Sequence, residues 1–178
     1  MNNPQESVDH SKNSDYRTIE QTMEKLSSGT RRLAAQLTTS ASFDSLWNVL
    51  TDYDRLNLYI PNLLSSKKIY QKNNNVHLKQ IGAQDFLGMK FSAEVTIDLL
   101  ENKELGLLKF NLIKGDFRKF EGSWKIQKIK NTSNNSLIYD LTVQGCQWMP
   151  IGMIEKRLKK DLSENLIAVD RQAKLSTN

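Results

Sequence analysis

PIGMIEKRLKKDLSENLIAVDRQA, residues 150–173, is the stretch that dictates how the rest of the chain must be arranged. Ile154, Leu158, Leu162 and Leu166 recur every four residues, with Ile151, Ile167 and Val169 beside them. Glu155, Lys156, Arg157, Lys159, Lys160, Ser163 and Glu164 take the opposite side. That spacing predicts one long amphipathic helix with a single apolar stripe. Gly152, just after Pro150 and three residues before Glu155, is the expected N-cap; Arg171 and Lys174 suit the negative end of the helix dipole. Each leucine-type side chain of the stripe is worth about 2 kcal/mol if fully buried. Such a stripe demands a broad apolar surface opposite it.

Upstream, the apolar period falls to two. Residues 31–39 alternate through Leu33, Ala35 and Leu37, which predicts a first strand. Ser40 or Ser42 then caps a short helix whose Phe43, Leu46, Trp47 and Leu50 share a face. A second helical turn over residues 55–59 ends at Ile60-Pro61. Strands follow at residues 64–71 and 76–86, separated by Asn73-Asn74-Asn75, and a Leu87-Gly88 turn leads onward. In the next strand Phe91, Ala93, Val95, Ile97 and Leu99 face one way, with Lys90, Ser92, Glu94, Thr96 and Asp98 opposite. Residues 107–114, 120–129 and 137–148 complete the series, and Leu137, Tyr139, Leu141 and Val143 share a face of the last. Short turns between consecutive strands make an antiparallel sheet with one apolar side. The expected class is α+β: a curved antiparallel sheet of about seven strands around a long C-terminal helix, with two short helices after the first strand.

At 178 residues the chain suits one domain, expected over residues 30–175. Residues 1–29 are polar, end in Ser27-Ser28-Gly29 and predict a disordered tail. The tail carries three basic and five acidic side chains, a net −2, so of the overall +5 the remainder holds +7. A basic domain suits an anionic surface. No arginine–aromatic cluster points to nucleic acid, and none is expected as a partner. No apolar run approaches the roughly 18 residues of a membrane span. One cysteine, Cys146, precludes an internal disulfide. With no apolar leader visible, the expected location is cytoplasmic, with room for peripheral membrane contact.

Residues 43–53 (FDSLWNVLTDY) and 59–63 (YIPNL), Gly115-Asp116-Phe117 with Gly122-Ser123-Trp124, and Pro150 leading into Glu155-Lys156-Arg157-Leu158 carry a resemblance. In this order the chain resembles the START-like, or SRPBCC, helix-grip superfamily. More narrowly it is similar to the polyketide cyclase/dehydrase and lipid-transport family, which includes the coenzyme Q-binding proteins. The likeness runs over roughly residues 31–173. It implies a sheet gripping the long helix, with a hydrophobic cavity between them.

That cavity would be walled by Phe91, Ala93, Val95, Phe110, Leu112, Trp124, Tyr139 and Leu141 from the sheet, facing Ile154, Leu158 and Leu162 of the helix. Periodicity alone allows a closed core of the same side chains. An apolar junction at Trp148, Met149 and Met153, near Leu87-Gly88-Met89 and Tyr59-Ile60-Pro61, is the expected entrance. With the lysines of the helix it suits transient contact with an anionic bilayer. No catalytic set emerges. His10 lies in the tail, His77 stands alone, and no His, Cys or carboxylate group has metal-ligand spacing, so neither a metal nor another cofactor is expected. Asp116 reads as a turn residue and Cys146 as a small packed side chain. Three functions stand side by side: a carrier of a lipid- or isoprenoid-like molecule, a polyketide-type cyclase or dehydratase using Tyr139, and an adaptor for a protein partner.

Overall fold

The computed structural model describes the backbone of residues 19–86, 89–146 and 151–176, and the side chains of 19–83, 92–146 and 155–176. Eight strands form one antiparallel sheet: β1 (Ile19–Lys25), β2 (Arg31–Thr39), β3 (Leu63–Lys72), β4 (Asn75–Phe86), β5 (Met89–Asn102), β6 (Leu107–Gly115), β7 (Phe117–Lys128) and β8 (Asn135–Gly145). Their order is β1-β2-β8-β7-β6-β5-β4-β3. Between β2 and β3 lie α1 (Phe43–Thr51) and a 3-10 turn (Tyr53–Leu58); α2 (Ile151–Leu175) closes the chain. No helix among the described residues is long and apolar enough to cross a membrane.

The alternation seen in the sequence explains the register. In β8, Leu137, Tyr139, Leu141 and Val143 are all buried, and Leu141 pairs with Leu33 of β2 on one side and Gly122 of β7 on the other. Ser42 caps α1, its hydroxyl accepting the Ser45 N–H at 3.1 Å. The helix buries Leu46, Trp47, Val49 and Leu50. Against α1, β2 and β8 packs the C-terminal half of α2, where Leu166, Val169 and Ala173 are completely buried. Asp170, also completely buried, accepts a hydrogen bond from the Thr39 hydroxyl and lies 3.2 Å from Lys174 Nζ. Burying that charge is tolerable because both partners are in place.

Two glycines explain the motif around Asp116. Gly115 has φ +152°, and a Cβ there would sit 2.3 Å from the Glu94 carbonyl. The backbone can therefore press against β5, where the Asp116 carboxylate accepts the Glu94 N–H at 2.7 Å and the Asp116 N–H donates to Glu94 O at 2.9 Å. At Gly122 a Cβ would come within 2.0 Å of Asp140 O and 2.9 Å of the Phe110 ring. Its absence lets Phe110 pack close over the strand.

Three expectations need correction. The tail expected to be disordered over residues 1–29 is ordered from Ile19 onward, because Ile19–Lys25 is a strand paired with β2; residues 1–18 lie outside the described residues. Only Ile19 and Met23 of β1 pack on the core, and polar Gln21 between them breaks the alternation that would have announced a strand. This strand is also why the sheet has eight members. Secondly, Gly152 is not the cap of α2, because the helix already includes Ile151 and Gly152. Thirdly, Arg157 does not stay with the outer charges of α2 but turns toward the interior.

Candidate functional site

The sheet and α2 do not close on each other along their whole length. Between them lies a cavity of about 590 Å³. Its floor is the sheet: Leu78, Gln80 and Gly82 of β4, Ser92, Ala93, Val95, Ile97 and Leu99 of β5, Leu108 and Phe110 of β6, Phe117, Phe120 and Trp124 of β7, and Tyr139 and Leu141 of β8. One end is formed by Leu50, Tyr53, Leu56 and the segment Ile60-Pro61-Asn62-Leu63. The roof is α2, through Arg157, Leu158, Asp161, Leu162, Asn165 and Val169.

Aromatic rings build the β6–β8 wall. Trp124 stacks on Tyr139 with centroids 4.0 Å apart and planes 11° from parallel. Phe120 lies 5.6 Å from Phe110 and 5.4 Å from Phe117. Each such ring pair contributes about 0.5–1.5 kcal/mol beyond the area it buries.

Of the expected wall residues, Ala93, Val95, Phe110, Trp124, Tyr139, Leu141, Leu158 and Leu162 come together around this space. Leu112 does not line it. Leu112, opposite Ile97 in the same unbroken β5–β6 register as Phe110 and Leu108, packs on the core instead. Phe91 and Ile154 sit on β5 and α2, but their side chains lie outside the described residues. The expected entrance falls there too: Trp148 and Met149 are outside the described residues, as is the Met153 side chain. So is the turn at Leu87-Gly88.

Missing from the sequence reading were the polar members of the roof. Arg157, Asp161 and Asn165 keep the same four-residue spacing as Leu158, Leu162 and Leu166, displaced by one position and thus by about 100° around the helix. That displacement is the signal that could have found them. Arg157 Nε lies 3.0 Å from Asp161 Oδ1, and Asn62 Nδ2 donates to the same oxygen at 3.3 Å. The buried Asn165 Oδ1 has no hydrogen-bond partner among the described residues. Burial, reinforced by the negative charge of Asp161, pushes the Tyr139 hydroxyl well above the ordinary tyrosine range. It stays protonated, available as donor and acceptor. By contrast the Tyr53 hydroxyl is committed, donating to Glu101 Oε1 at 2.5 Å.

His77 and Cys146 stand away from this space. The His77 ring packs on Tyr70 at 4.7 Å with Nε2 3.5 Å from Asp98 Oδ1, and Cys146 Sγ donates to the Asp116 carbonyl at 2.8 Å. Among the described residues no three His, Cys, Asp or Glu side chains form a metal-binding group.

Residues 39–170 match the family model described as polyketide cyclase / dehydrase and lipid transport. No curated protein matches the chain. Among solved structures, the chain is similar to the Zhui aromatase/cyclase from Streptomyces sp. R1128, with a TM-score of 0.72 at 13% identity over 84% of this chain and 96% of that one. A STAR-related lipid transfer protein from Xanthomonas axonopodis gives 0.74 at 10% identity, covering 88% and 93%. Human StAR-related lipid transfer protein 5 gives 0.72 at 6% identity, covering 90% and 84%. At these identities the likeness is one of fold.

Proposed function

Because the chain belongs to the polyketide cyclase/dehydrase and lipid-transport family, we propose that its cavity binds a lipid- or isoprenoid-like small molecule, which the protein carries, shields or presents. The observation that supports this is the 590 Å³ space itself, apolar on nearly every side in a region where the strand and helix patterns could equally have met as a closed core. Volumes of this order are those of small-molecule sites, in which apolar walls supply affinity and a few polar groups fix orientation. The wall residues proposed to touch the ligand are Ala93, Val95, Phe110, Trp124, Tyr139, Leu141, Leu158 and Leu162. Lys156 and Lys160, exposed on the outer side of α2, fit a cytoplasmic protein that meets an anionic bilayer transiently. Native mass spectrometry of gently purified protein, followed by organic extraction, tests the reading. A discrete apolar adduct is the expected result. A ligand-free mass together with no uptake of any apolar fluorescent probe overturns it.

A second reading is favoured by one observation: Arg157 and Asp161 line the cavity together with Tyr139. Tyr139, Arg157 and Asp161 would serve a cyclase or dehydratase that folds a reactive polyketide-like chain inside the space, where positioning alone lowers a barrier by about 7–11 kcal/mol. The relative from Streptomyces sp. R1128 is named as an aromatase/cyclase. Turnover of such a chain that survives Tyr139→Phe unchanged removes Tyr139 from this role.

A further inference from the structure

The two halves of α2 are held differently. Its C-terminal half is clamped by apolar contact, with Leu166, Val169 and Ala173 completely buried. Its N-terminal half spans the cavity, which Leu158 and Leu162 line. Polar contacts tie this half down at both flanks. On the β3 side Asn62 Nδ2 donates to Asp161 Oδ1 at 3.3 Å. On the other side the contacts come from β1 and β2. Gln21 Nε2 donates to the backbone carbonyl of Lys159 at 2.7 Å, Lys25 Nζ lies 4.0 Å from Glu155 Oε2, and Arg31 Nε donates to Glu155 Oε1. The β1–β2 register explains the reach. Gln21 pairs with Ala35 and Met23 with Leu33, both buried on the face that grips α2, and Lys25 pairs with Arg31. With a period of two, Gln21 and Lys25 share that inner face with Ile19 and Met23. Their polarity suits contact with a helix backbone and a carboxylate. β1 lies wholly outside the family match, which begins at residue 39.

We propose that β1 is a strap: by tying the N-terminal half of α2 to the sheet edge, it sets how often that half lifts to let a ligand enter or leave the cavity. This deepens the binding reading and rests on it. A hydrogen bond to a main-chain carbonyl restrains the helix itself, where a bond between two long side chains would restrain only their tips. Lys25 is 65% exposed, so its pairing with Glu155 adds little in salt. Arg31 belongs to β2, which Leu33, Ala35 and Leu37 fix in the core. Gln21 is thus the main link between β1 and α2. It does not line the cavity, so it acts on the ligand's path and leaves the ligand's fit alone. A contact that stabilises the closed arrangement equally in the empty and the loaded protein has no differential affinity to offer. Its loss therefore speeds entry and exit by one common factor and leaves the affinity where it was.

Gln21→Ala in the full chain tests this, with Thr22→Ala, on the opposite face of the same strand, as its control. Gln21→Glu, which keeps the length but turns an oxygen toward the Lys159 carbonyl, should behave like Gln21→Ala. The first measurement needs no ligand. Hydrogen–deuterium exchange in both Gln21 variants should rise about two- to tenfold over residues 156–163, the worth of one hydrogen bond, and stay unchanged over residues 167–175. The second is stopped-flow mixing with the neutral dye N-phenylnaphthylamine. Uptake and release should both quicken about two- to tenfold with an unchanged dissociation constant, and Thr22→Ala should match the parent throughout. Unchanged amide exchange over residues 156–163 overturns the strap and leaves the cavity reading intact. So do dye rates that stay at the parent values, and so does an equal acceleration in Thr22→Ala, which would make general fraying of β1 the cause. Failure of the dye to bind the parent overturns the binding reading and with it the control of ligand exchange, while the amide measurement still decides whether β1 holds α2.

Discussion

Truncating two leucines of α2, four residues apart, measures whether the interior is hollow. Leu162 is 1% exposed and Leu166 completely buried, so by accessibility they are equivalent. Their surroundings differ: Leu162 lines the cavity and Leu166 does not. A buried Leu→Ala change costs about 2–5 kcal/mol, the spread reflecting how many contacts are lost and how much new void remains. Leu162 already lacks packing partners on its cavity side, so Leu162→Ala should fall near the low end, about 2 kcal/mol. Leu166→Ala, in the clamp against α1 and β2, should reach about 4 kcal/mol. With a urea m-value of about 2 kcal/mol/M, the two midpoints should differ by about 1 M. Enlargement gives the mirror result. Leu162→Phe extends into empty space and should be nearly neutral, whereas Leu166→Phe should cost about 1–3 kcal/mol through overpacking. Equal midpoints for the two alanine variants would refute the reasoning, because Leu162 would then be as fully surrounded as Leu166.

Tyr139→Phe should leave stability within about 0.5 kcal/mol of the parent, whereas Tyr53→Phe, which strips Glu101 of a donor at 2.5 Å, should lose about 1–3 kcal/mol by the same urea titration. Similar losses for both would show that the Tyr139 hydroxyl is already committed within the protein. Gly115→Ala forces a Cβ to 2.3 Å from Glu94 O at φ +152° and should cost about 3 kcal/mol or more. Gly29→Ala, at φ +73° with nothing within 4 Å, should cost only the left-handed backbone penalty of about 1–2 kcal/mol; equal thermal shifts would contradict this. The Glu155 carboxyl is held below its ordinary 4.5, first by its hydrogen bond from Arg31. A depressed folded value means that its contribution is present above the unfolded value and is lost as pH falls through the folded one. The stability gap between the parent and Glu155→Gln should therefore be largest near neutrality and shrink below about pH 4.5. A gap that stays constant on acidification would exclude a charge-dependent role.

Much of this architecture was legible because periodicity reports which side of an element is dry. The stripe of α2 and the alternation of β5 and β8 are long, regular and matched in period to their backbones. β1 was hidden because an edge strand buries only Ile19 and Met23, too few to establish a period of two. The cavity wall was partly legible for the same reason that it was ambiguous: an apolar side chain against a void and one against another side chain obey the same pattern. Leu112 shows the limit: it keeps the alternate spacing and the unbroken register of Leu108 and Phe110, yet packs on the core and does not line the cavity. Arg157, Asp161 and Asn165 show another. Charged residues one position from a leucine stripe read as solvent-facing unless the surface opposite them is known to be hollow. Only the path of the sheet beneath α2 supplies that.

Among the described strands, β2 and β8 are the one neighbouring pair in the sheet that is not consecutive in sequence. Their register joins Thr39 to Asn135 and Arg31 to Val143. Closing a loop of roughly a hundred residues costs about 4 kcal/mol in chain entropy before any contact offsets it. The hairpins of β3 through β8 need close only short turns, so they should assemble first, with β2 adding last. During synthesis at about 5–20 residues per second, β2 waits roughly 5–20 s for β8 to emerge. Throughout that interval Leu33, Ala35 and Leu37 have no sheet neighbour on that side. A chain ending before Asn135 should therefore be cut by protease within β2, and protection there would show that β2 finds shelter earlier. The same long-range pairing that sets the α2 clamp in place thus makes the first strands of the chain dependent on its last.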